Sequence, residues 1–206
     1  MRGPPEGRAV LRDVAAFEFR FIVRSPLAVV SALLLFAGAF ADMTGAKLLS
    51  VGGGNVLSNS PHALIVSHCL VSLLFLFIGA AFVSHAVLRD DQTGFAPILR
   101  STGLTKSDYL FGRFLGAFAV GALVLAAATL GLWLGTLMPF ADATLLGPNR
   151  FVGYVVGFGL FALPNALIVA SVLFALATTT RSTAGTFVGV VLLFIAYLVS
   201  QRLMDN

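Results

Sequence analysis

Charged residues and cysteine are both scarce in this chain of 206 residues, and each scarcity excludes a class of protein or site. Only 11% of the residues are charged, whereas 58% are hydrophobic and the mean hydropathy is +0.97. A soluble domain carries about 25% charged residues, so the composition excludes an ordinary soluble protein. Cys69 is the single cysteine and lies inside an apolar stretch, so one chain can form neither a disulfide nor a cysteine-based metal site.

Motifs for catalysis are also missing. The sequence has no Gly-x4-Gly-Lys-Ser/Thr phosphate-binding loop, so the chain is not expected to hydrolyse ATP by itself. It has no His-Glu-x-x-His zinc motif, and its three histidines are scattered. On one helix His68 and His85 would be about 25 Å apart and could not share a metal; each is interpreted as a hydrogen-bonded polar residue. We therefore predict no enzymatic activity and no cofactor.

Five long apolar stretches carry almost all of the chain. A helix of roughly 20 apolar residues spans the hydrocarbon core of a bilayer. The second, third and fourth stretches exceed this length, whereas the first and last are marginal and depend on their flanking residues. The stretches are Pro26–Ala41, Ala63–Leu88, Leu110–Met138, Phe151–Ala177 and Thr183–Ser200. The predicted fold is all-α: a polytopic transmembrane helical bundle of about five spanning helices.

The basic residues fall in alternate gaps between these stretches, which predicts the orientation of the chain. Of the 13 Lys and Arg residues, ten lie on the side of the N-terminus, and only Lys47, Arg150 and Arg202 lie on the other side. Cytoplasmic loops carry such an excess, so we expect a multi-pass protein of the cell (inner) membrane with a cytoplasmic N-terminus. Because the basic residues follow the topology, the pI of 9.8 does not indicate nucleic-acid binding.

The whole chain is predicted to divide into two parts. Residues 1–12 are predicted to be flexible, and residues 13–206 to form the transmembrane domain. Asp13–Arg24 is interpreted as a helix on the membrane surface, with charged residues on one face and Phe17 and Phe21 on another. The alternative is that this segment is simply the uneven start of the first spanning helix.

Glycines recur at four-residue spacing within the spans, which favours close contact between helix backbones in lipid. The pairs are Gly112/Gly116, Gly131/Gly135, Gly153/Gly157 and Gly185/Gly189. Because 21 glycines are present, some pairs are expected by chance. We take the set as an indication of a packed bundle.

Pro164 and Asn165 lie in the middle of the fourth stretch. Proline removes a backbone hydrogen bond from a helix, so one interpretation is a structural kink in which Asn165 bonds the freed carbonyls. The other interpretation is a polar point that faces a substrate path, since polar residues inside spans often mark such paths.

The gap between the second and third stretches is the only substantial loop on the basic side. It begins with charged residues, continues with an apolar patch at Phe95–Leu99, and then restarts a helix for which Thr105–Asp108 supplies capping residues. A short helix here would suit a membrane subunit that is moved by a soluble motor. The residues alone favour an ordinary connecting loop.

This loop and the segment before the first span resemble those of ABC-2 exporter permeases. The N-terminal counterpart is an "elbow" helix, here Phe17–Pro26. Residues of the cytoplasmic loop that match the permease pattern are Arg89, Asp90, Gly94, Leu99, Ser101, Thr102, Lys106, Gly112, Arg113 and Phe114. Gly103 stands where these permeases usually have proline, so the resemblance covers the position of the loop but not the geometry of this turn.

A finer resemblance is to bacterial proteins that join such a permease to a zinc aminopeptidase of the M1 type. The short motifs that carry it are Gly52–Gly54, Asn59–Pro61, Leu137–Pro139, Leu146–Pro148, Leu163–Asn165, Thr180–Ser182 and Asp205–Asn206. The peptidase part is absent from this sequence, so no zinc site carries over.

The resemblance implies a permease subunit of an ATP-driven exporter, working with a separate ABC ATPase subunit and a second permease subunit in the lipid bilayer. The residues expected to form the coupling segment that contacts the ATPase are Arg89, Asp90, Asp91, Gly94, Phe95, Ile98, Leu99 and Arg100. The alternatives are a non-transporting anchor or scaffold for a peptidase or other partner, and a membrane-embedded enzyme. Permeases of this class have six spans, so a sixth span is expected from a longer product or a partner chain.

Overall fold

The computed structural model describes residues 7–46, 48, 56–94 and 105–204, and most of them are helical. The helices are α1 (Gly7–Val23), α2 (Pro26–Ala41), α3 (Pro61–Gln92), α4 (Lys106–Gly135), α5 (Phe151–Val156), α6 (Leu163–Thr180) and α7 (Thr183–Met204). A π-helical turn follows α2 at Asp42–Ala46, and a π-helical segment, Gly157–Ala162, joins α5 to α6. A short 3₁₀ helix covers Ala143–Leu145.

Five helical segments among these residues are long and apolar enough to span a membrane, which confirms the predicted all-α polytopic bundle. They are Pro26–Ala46, Pro61–Arg89, Lys106–Gly135, Phe151–Thr180 and Thr183–Ser200. Four of the five exceed the predicted stretches, because the helices continue through polar residues at their ends.

The N-terminal helix α1 is separate from the first span. It begins at Gly7, before the predicted start at Asp13, and ends at Val23. Ser25 then caps α2 by accepting a hydrogen bond from the backbone N–H of Ala28 at 3.2 Å, and Pro26 occupies the first turn. A break with its own cap distinguishes α1 from an uneven start of α2.

Three faces of α1 differ in environment. Glu18 and Ile22 are buried, whereas Phe17 and Phe21 are 61% and 44% exposed. The charged side chains of Arg12 and Asp13 are exposed on the remaining face. One protein-facing, one apolar and one charged face are what a helix at a membrane surface requires.

The chain forms two compact units. The first unit contains Met1–Ile22, Leu76–Ala119 and Val169–Asn206; the second contains Val23–Phe75 and Val120–Ile168. Thus α3, α4 and α6 each contribute residues to both. The first unit has a buried apolar cluster from α3, α6 and α7: Leu76, Ala80, Val83, Leu173, Ala177 and Val190.

In the first unit, the glycine pair near the start of α4 receives α1. A Cβ atom on Gly116 would lie 2.7 Å from the carbonyl oxygen of Ala15 and 2.7 Å from the Cβ of Glu18. A Cβ on Gly112 would lie 2.8 Å from that of Val14. Since real Cβ atoms do not approach so closely, α1 can lie against α4 only where these side chains are absent.

In the second unit, the later glycine pair of α4 receives α2 in the same way. A Cβ on Gly135 would lie 3.0 Å from the carbonyl oxygen of Phe40, and one on Gly131 would overlap the carbonyl of Phe36. Both glycine pairs of α4 thus lie where helices pack closely, in line with the packed bundle that the whole set of spaced glycines indicated.

The fourth span contains a backbone irregularity next to Pro164. The π-helical segment Gly157–Ala162 ends immediately before α6, and the N–H of Leu163 bonds the carbonyl of Phe158. Proline cannot donate to the carbonyl four residues earlier. A wider turn before the proline accommodates this lost bond within a continuous span.

Candidate functional site

Arg89 begins the predicted coupling segment, and the structure pairs it with a residue of α1. Its guanidinium donates to both carboxylate oxygens of Glu18, at 3.3 and 2.8 Å. Glu18 is fully buried, and the side chain of Arg89 is 14% exposed. Two parallel bonds between a guanidinium and a carboxylate fix distance and orientation together, so this contact holds α1 at a defined place on α3.

A second arginine, Arg113 of α4, reaches the same carboxylate. Its Nε lies 3.7 Å from Oε2 of Glu18, and its side chain is 4% exposed. It also donates to the carbonyl of Ala86 on α3, and its guanidinium lies 4.9 Å from the ring centre of Tyr109. One buried carboxylate therefore joins α1, α3 and α4. We call Glu18, Arg89 and Arg113 the charged cluster.

Two aromatic rings of α1 cover the charged cluster. The guanidinium of Arg89 lies 4.2 Å from the ring centre of Phe21 and 5.7 Å from that of Phe17. Phe21 also stacks on His85 of α3, with ring centres 5.6 Å apart. A cation over an aromatic face is attracted by the ring quadrupole, so these rings stabilise Arg89 while facing outward themselves.

The cluster forms because three sequence features coincide. Val14, Glu18 and Ile22 follow each other at four-residue spacing, which places them on one face of α1. The Gly112/Gly116 pair lets that face approach α4. Burying a charge is costly unless it is paired, and loss of one partner of a buried ion pair costs about 3–5 kcal/mol. Each member of the cluster is therefore needed by the others.

The remaining coupling-segment residues are only partly described. Asp90 and Asp91 lie in the last turn of α3, which ends at Gln92; their side chains lie outside what the structure describes. Gly94 has a φ of +70°, the left-handed conformation that glycine adopts without strain after a helix. Phe95, Ile98, Leu99 and Arg100 lie outside the described residues.

The second unit contains an uncharged set of hydrogen bonds that includes Asn165. Its amide donates to Oγ of Ser72 on α3 at 2.5 Å, and Ser72 donates to the carbonyl of Cys69 at 2.7 Å. This bond of Asn165 thus crosses to a neighbouring helix instead of returning to a carbonyl freed by Pro164. Pro164 and Asn165 belong to the second unit, and Arg89 belongs to the first.

His68 lies one turn before Ser72 on the same helix. Its Nδ1 is 2.7 Å from the carbonyl oxygen of Leu64, and its Nε2 is 3.2 Å from Oγ1 of Thr129 on α4. The interpretation of His68 as a hydrogen-bonded polar residue is confirmed. We call these two bonded pairs, His68 with Thr129 and Ser72 with Asn165, the polar network. Within the described ranges, no group of three or more His, Cys, Asp or Glu side chains could hold a metal ion.

Sequence reasoning missed Glu18. Glu18 lies in the predicted elbow helix, but no function was assigned to it. The sequence nevertheless contains a pattern that could have indicated a buried charge. It is an acidic residue on the same helical face as Val14 and Ile22, which are both apolar. A carboxylate on an apolar face requires a partner, although the spacing cannot say which of the 13 basic residues supplies it.

Comparison with known proteins places the chain in a family. Residues 29–205 match the family model described as "ABC-2 family transporter protein". No curated protein matches the sequence. The family match contains Arg89, Arg113 and Asn165, whereas Glu18 precedes it. Because the match covers most of the chain, including nearly all of the five candidate spans, this multi-pass membrane protein belongs to the ABC-2 transporter family.

Proposed function

We propose that this chain is the permease subunit of an ATP-driven exporter of the cell (inner) membrane, with a cytoplasmic N-terminus. A separate ABC ATPase subunit would bind the coupling segment, and a second permease subunit would complete the assembly. Family membership supports the transport role. The observation that carries the coupling role is the charged cluster, because it joins the start of the coupling segment to α1 and α4.

The cluster suits the transfer of a displacement. A movement of the ATPase against the residues after Arg89 would displace the end of α3 directly. It would also displace α1, because Arg89 is bonded to Glu18 of that helix. Through Arg113 it would act on α4, which begins just beyond the segment. Because both arginines pair with the same buried carboxylate, the parts of the three helices that carry these side chains would move together.

The apolar patch of the coupling segment is the proposed contact with the ATPase. A buried aromatic anchor carries more binding free energy than charges at the rim. We therefore expect Phe95, with Ile98 and Leu99, to fill a pocket on the ATPase, and Asp90, Asp91 and Arg100 to lie at its edge. The finer likeness to permeases joined to a peptidase is part of this proposal, and the cytoplasmic placement of the loop rests on the asymmetry of basic residues.

The test is capture of an ATP-binding protein by the tagged full chain from its native membranes, detected by photolabelling with azido-ATP. Phe95→Ala should weaken the association by about 1–3 kcal/mol, roughly 5- to 150-fold. Asp90→Lys should have a smaller effect that decreases at high salt. Phe140→Ala is the matched control, because Phe140 is an exposed phenylalanine in a different connection.

Two results would contradict the proposal. If the wild-type chain captured no ATP-binding protein and instead captured a peptidase, the anchor or scaffold function would be favoured. If Phe95→Ala captured as much ATPase as Phe140→Ala, the coupling role of this loop would have to be abandoned.

A further inference from the structure

A lateral groove of about 270 Å³ lies between α4 and α6 in the first unit. Leu110, Phe111 and Phe114 line it from α4, and Ser171, Phe174 and Thr178 line it from α6. These are the first turns of α4 and the last turns of α6, so both walls belong to the helix ends that the basic-residue asymmetry assigns to the cytoplasmic side.

The inside of the groove suits an alkyl chain. Phe114 and Phe174 meet edge to face with ring centres 5.3 Å apart. The hydroxyl of Thr178 donates to the carbonyl of Ala175 at 2.8 Å, so this donor already has its acceptor within α6. Phe111 is 61% exposed on the α4 side. A helix with its side chains is about 10–12 Å across, which is too large for a groove of this volume, whereas a segment of a single acyl chain is thin enough to enter it.

The two helices that line the groove, α4 and α6, each have a basic residue beyond the lining residues at the same end of the groove. On α4, Lys106, Leu110 and Phe114 follow each other at four-residue spacing, so Lys106 lies on the groove side one turn before Leu110. On α6, Phe174 and Thr178 continue to Arg181, which follows the last helical residue and is exposed. Each helix that lines the groove therefore carries a basic residue just beyond the lining residues, at the same end.

We propose that this groove binds an anionic phospholipid, with one acyl chain between α4 and α6 and its phosphate at Lys106 and Arg181. Basic residues at the cytoplasmic ends of spans attract the anionic lipids of the inner leaflet, and basic pockets between spans bind their headgroups. The apolar walls supply affinity for the chain, and the two cations supply the preference for negative charge. The proposal concerns lipid binding and does not depend on the ATPase.

The test is native mass spectrometry of the purified full chain with equal amounts of phosphatidylglycerol and phosphatidylcholine. A preference of roughly fivefold per basic residue, or about 25-fold for two, is expected for phosphatidylglycerol. The double variant Lys106→Gln/Arg181→Gln should lose most of this preference. The matched control, Arg150→Gln/Arg202→Gln, removes two basic residues from the other side and should keep it. Equal losses in both double variants would show general surface attraction and overturn the proposal.

A second variant tests the groove itself. Ala175 also lines it, and Ala175→Phe adds bulk facing lipid, not the buried cluster, so the bundle should still fold. Fewer bound lipids of both kinds are expected. Unchanged lipid binding would overturn the proposal. The proposal would also be overturned if the variant kept its bound lipid but no longer gave the mass of a dimer, because the groove would then be a contact between two copies of the chain.

Discussion

The first unit and the second unit hold their helices together with different chemistry. In the first, α1, α3 and α4 meet on a buried carboxylate and two arginines. In the second, α3, α4 and α6 meet on the uncharged side chains of the polar network. Both units also use a glycine pair of α4, which receives α1 in one and α2 in the other.

The difference matters because charged and neutral contacts respond differently to the loss of one partner. Removal of one member of a buried ion pair costs about 3–5 kcal/mol. Hydrogen bonds between uncharged side chains in membrane proteins are worth about 0.6 kcal/mol on average. Contacts of the first kind therefore resist separation of their helices more strongly than contacts of the second kind. Under the proposed function, force would enter through the first unit, and the weaker contacts of the second unit would be the ones to rearrange.

The largest effect is expected from Glu18→Gln, which keeps the shape of the side chain and removes its charge. Arg89 and Arg113 would then face each other with nothing negative between them, and the free energy of unfolding should fall by about 3 kcal/mol or more. Thermal unfolding of the wild-type chain and the variant in nanodiscs measures this loss of stability.

The matched control for Glu18→Gln is Asp13→Asn. It also removes an acidic charge from α1, but at a side chain that is 74% exposed and 3.7 Å from Arg12. Exposed pairs contribute little, so no measurable change is expected. Equal stability of the two variants would remove the contrast between the units.

A smaller effect is expected from Gly116→Ala, which tests whether α1 is held by shape as well as by charge. The added Cβ would meet the backbone oxygen of Ala15 at 2.7 Å, so α1 must shift. Overpacking of this kind costs about 1–3 kcal/mol. Gly38→Ala is the control, since a Cβ there would meet nothing within 4 Å. Trypsin cleavage at Arg12 and Arg20 should accelerate only in the Gly116 variant; equal rates in both would show that the glycine contact does not hold α1.

The smallest effect is expected from Asn165→Ala in the polar network. Loss of its bond to Ser72 should lower the free energy of unfolding by about 0.6 kcal/mol. Thr179→Val is the control, because the hydroxyl of Thr179 bonds only carbonyls of its own helix in the described contacts. A loss as large as that of Glu18→Gln would mean that the second unit is as rigidly held as the first.

Much of the fold could be predicted because the bilayer imposes its length on each span. Five apolar stretches predict the five spans, and the distribution of charged and aromatic residues over Asp13–Arg24 predicts a separate N-terminal helix. The spaced glycines indicate a packed bundle. The start of α1 was less accurate, since this helix begins at Gly7 and not at Asp13. The start of α4 at Lys106 lies before the apolar stretch but agrees with the capping residues predicted at Thr105–Asp108.

The charged cluster could not be predicted because its members are far apart in the sequence. Residue 18 meets residues 89 and 113 only after three helices have packed, and spacing along the chain carries no information about that contact. Similarly, the polar character of Asn165 was visible, but its partner Ser72 on α3 was not. The π-helical segment before Pro164 was not predicted either, since the sequence showed only that the proline removes a backbone hydrogen bond.

The orientation of the chain tests the account most directly, because a coupling role requires the charged cluster on the cytoplasmic side. Single cysteines would be placed at the exposed positions Thr93 and Asn149 in a chain carrying Cys69→Ala, and intact cells treated with a membrane-impermeant maleimide. The account predicts labelling of Asn149→Cys in intact cells, and of Thr93→Cys only after the membrane is permeabilised. Labelling of Thr93→Cys from outside would contradict both the orientation and the proposed contact with an ATPase.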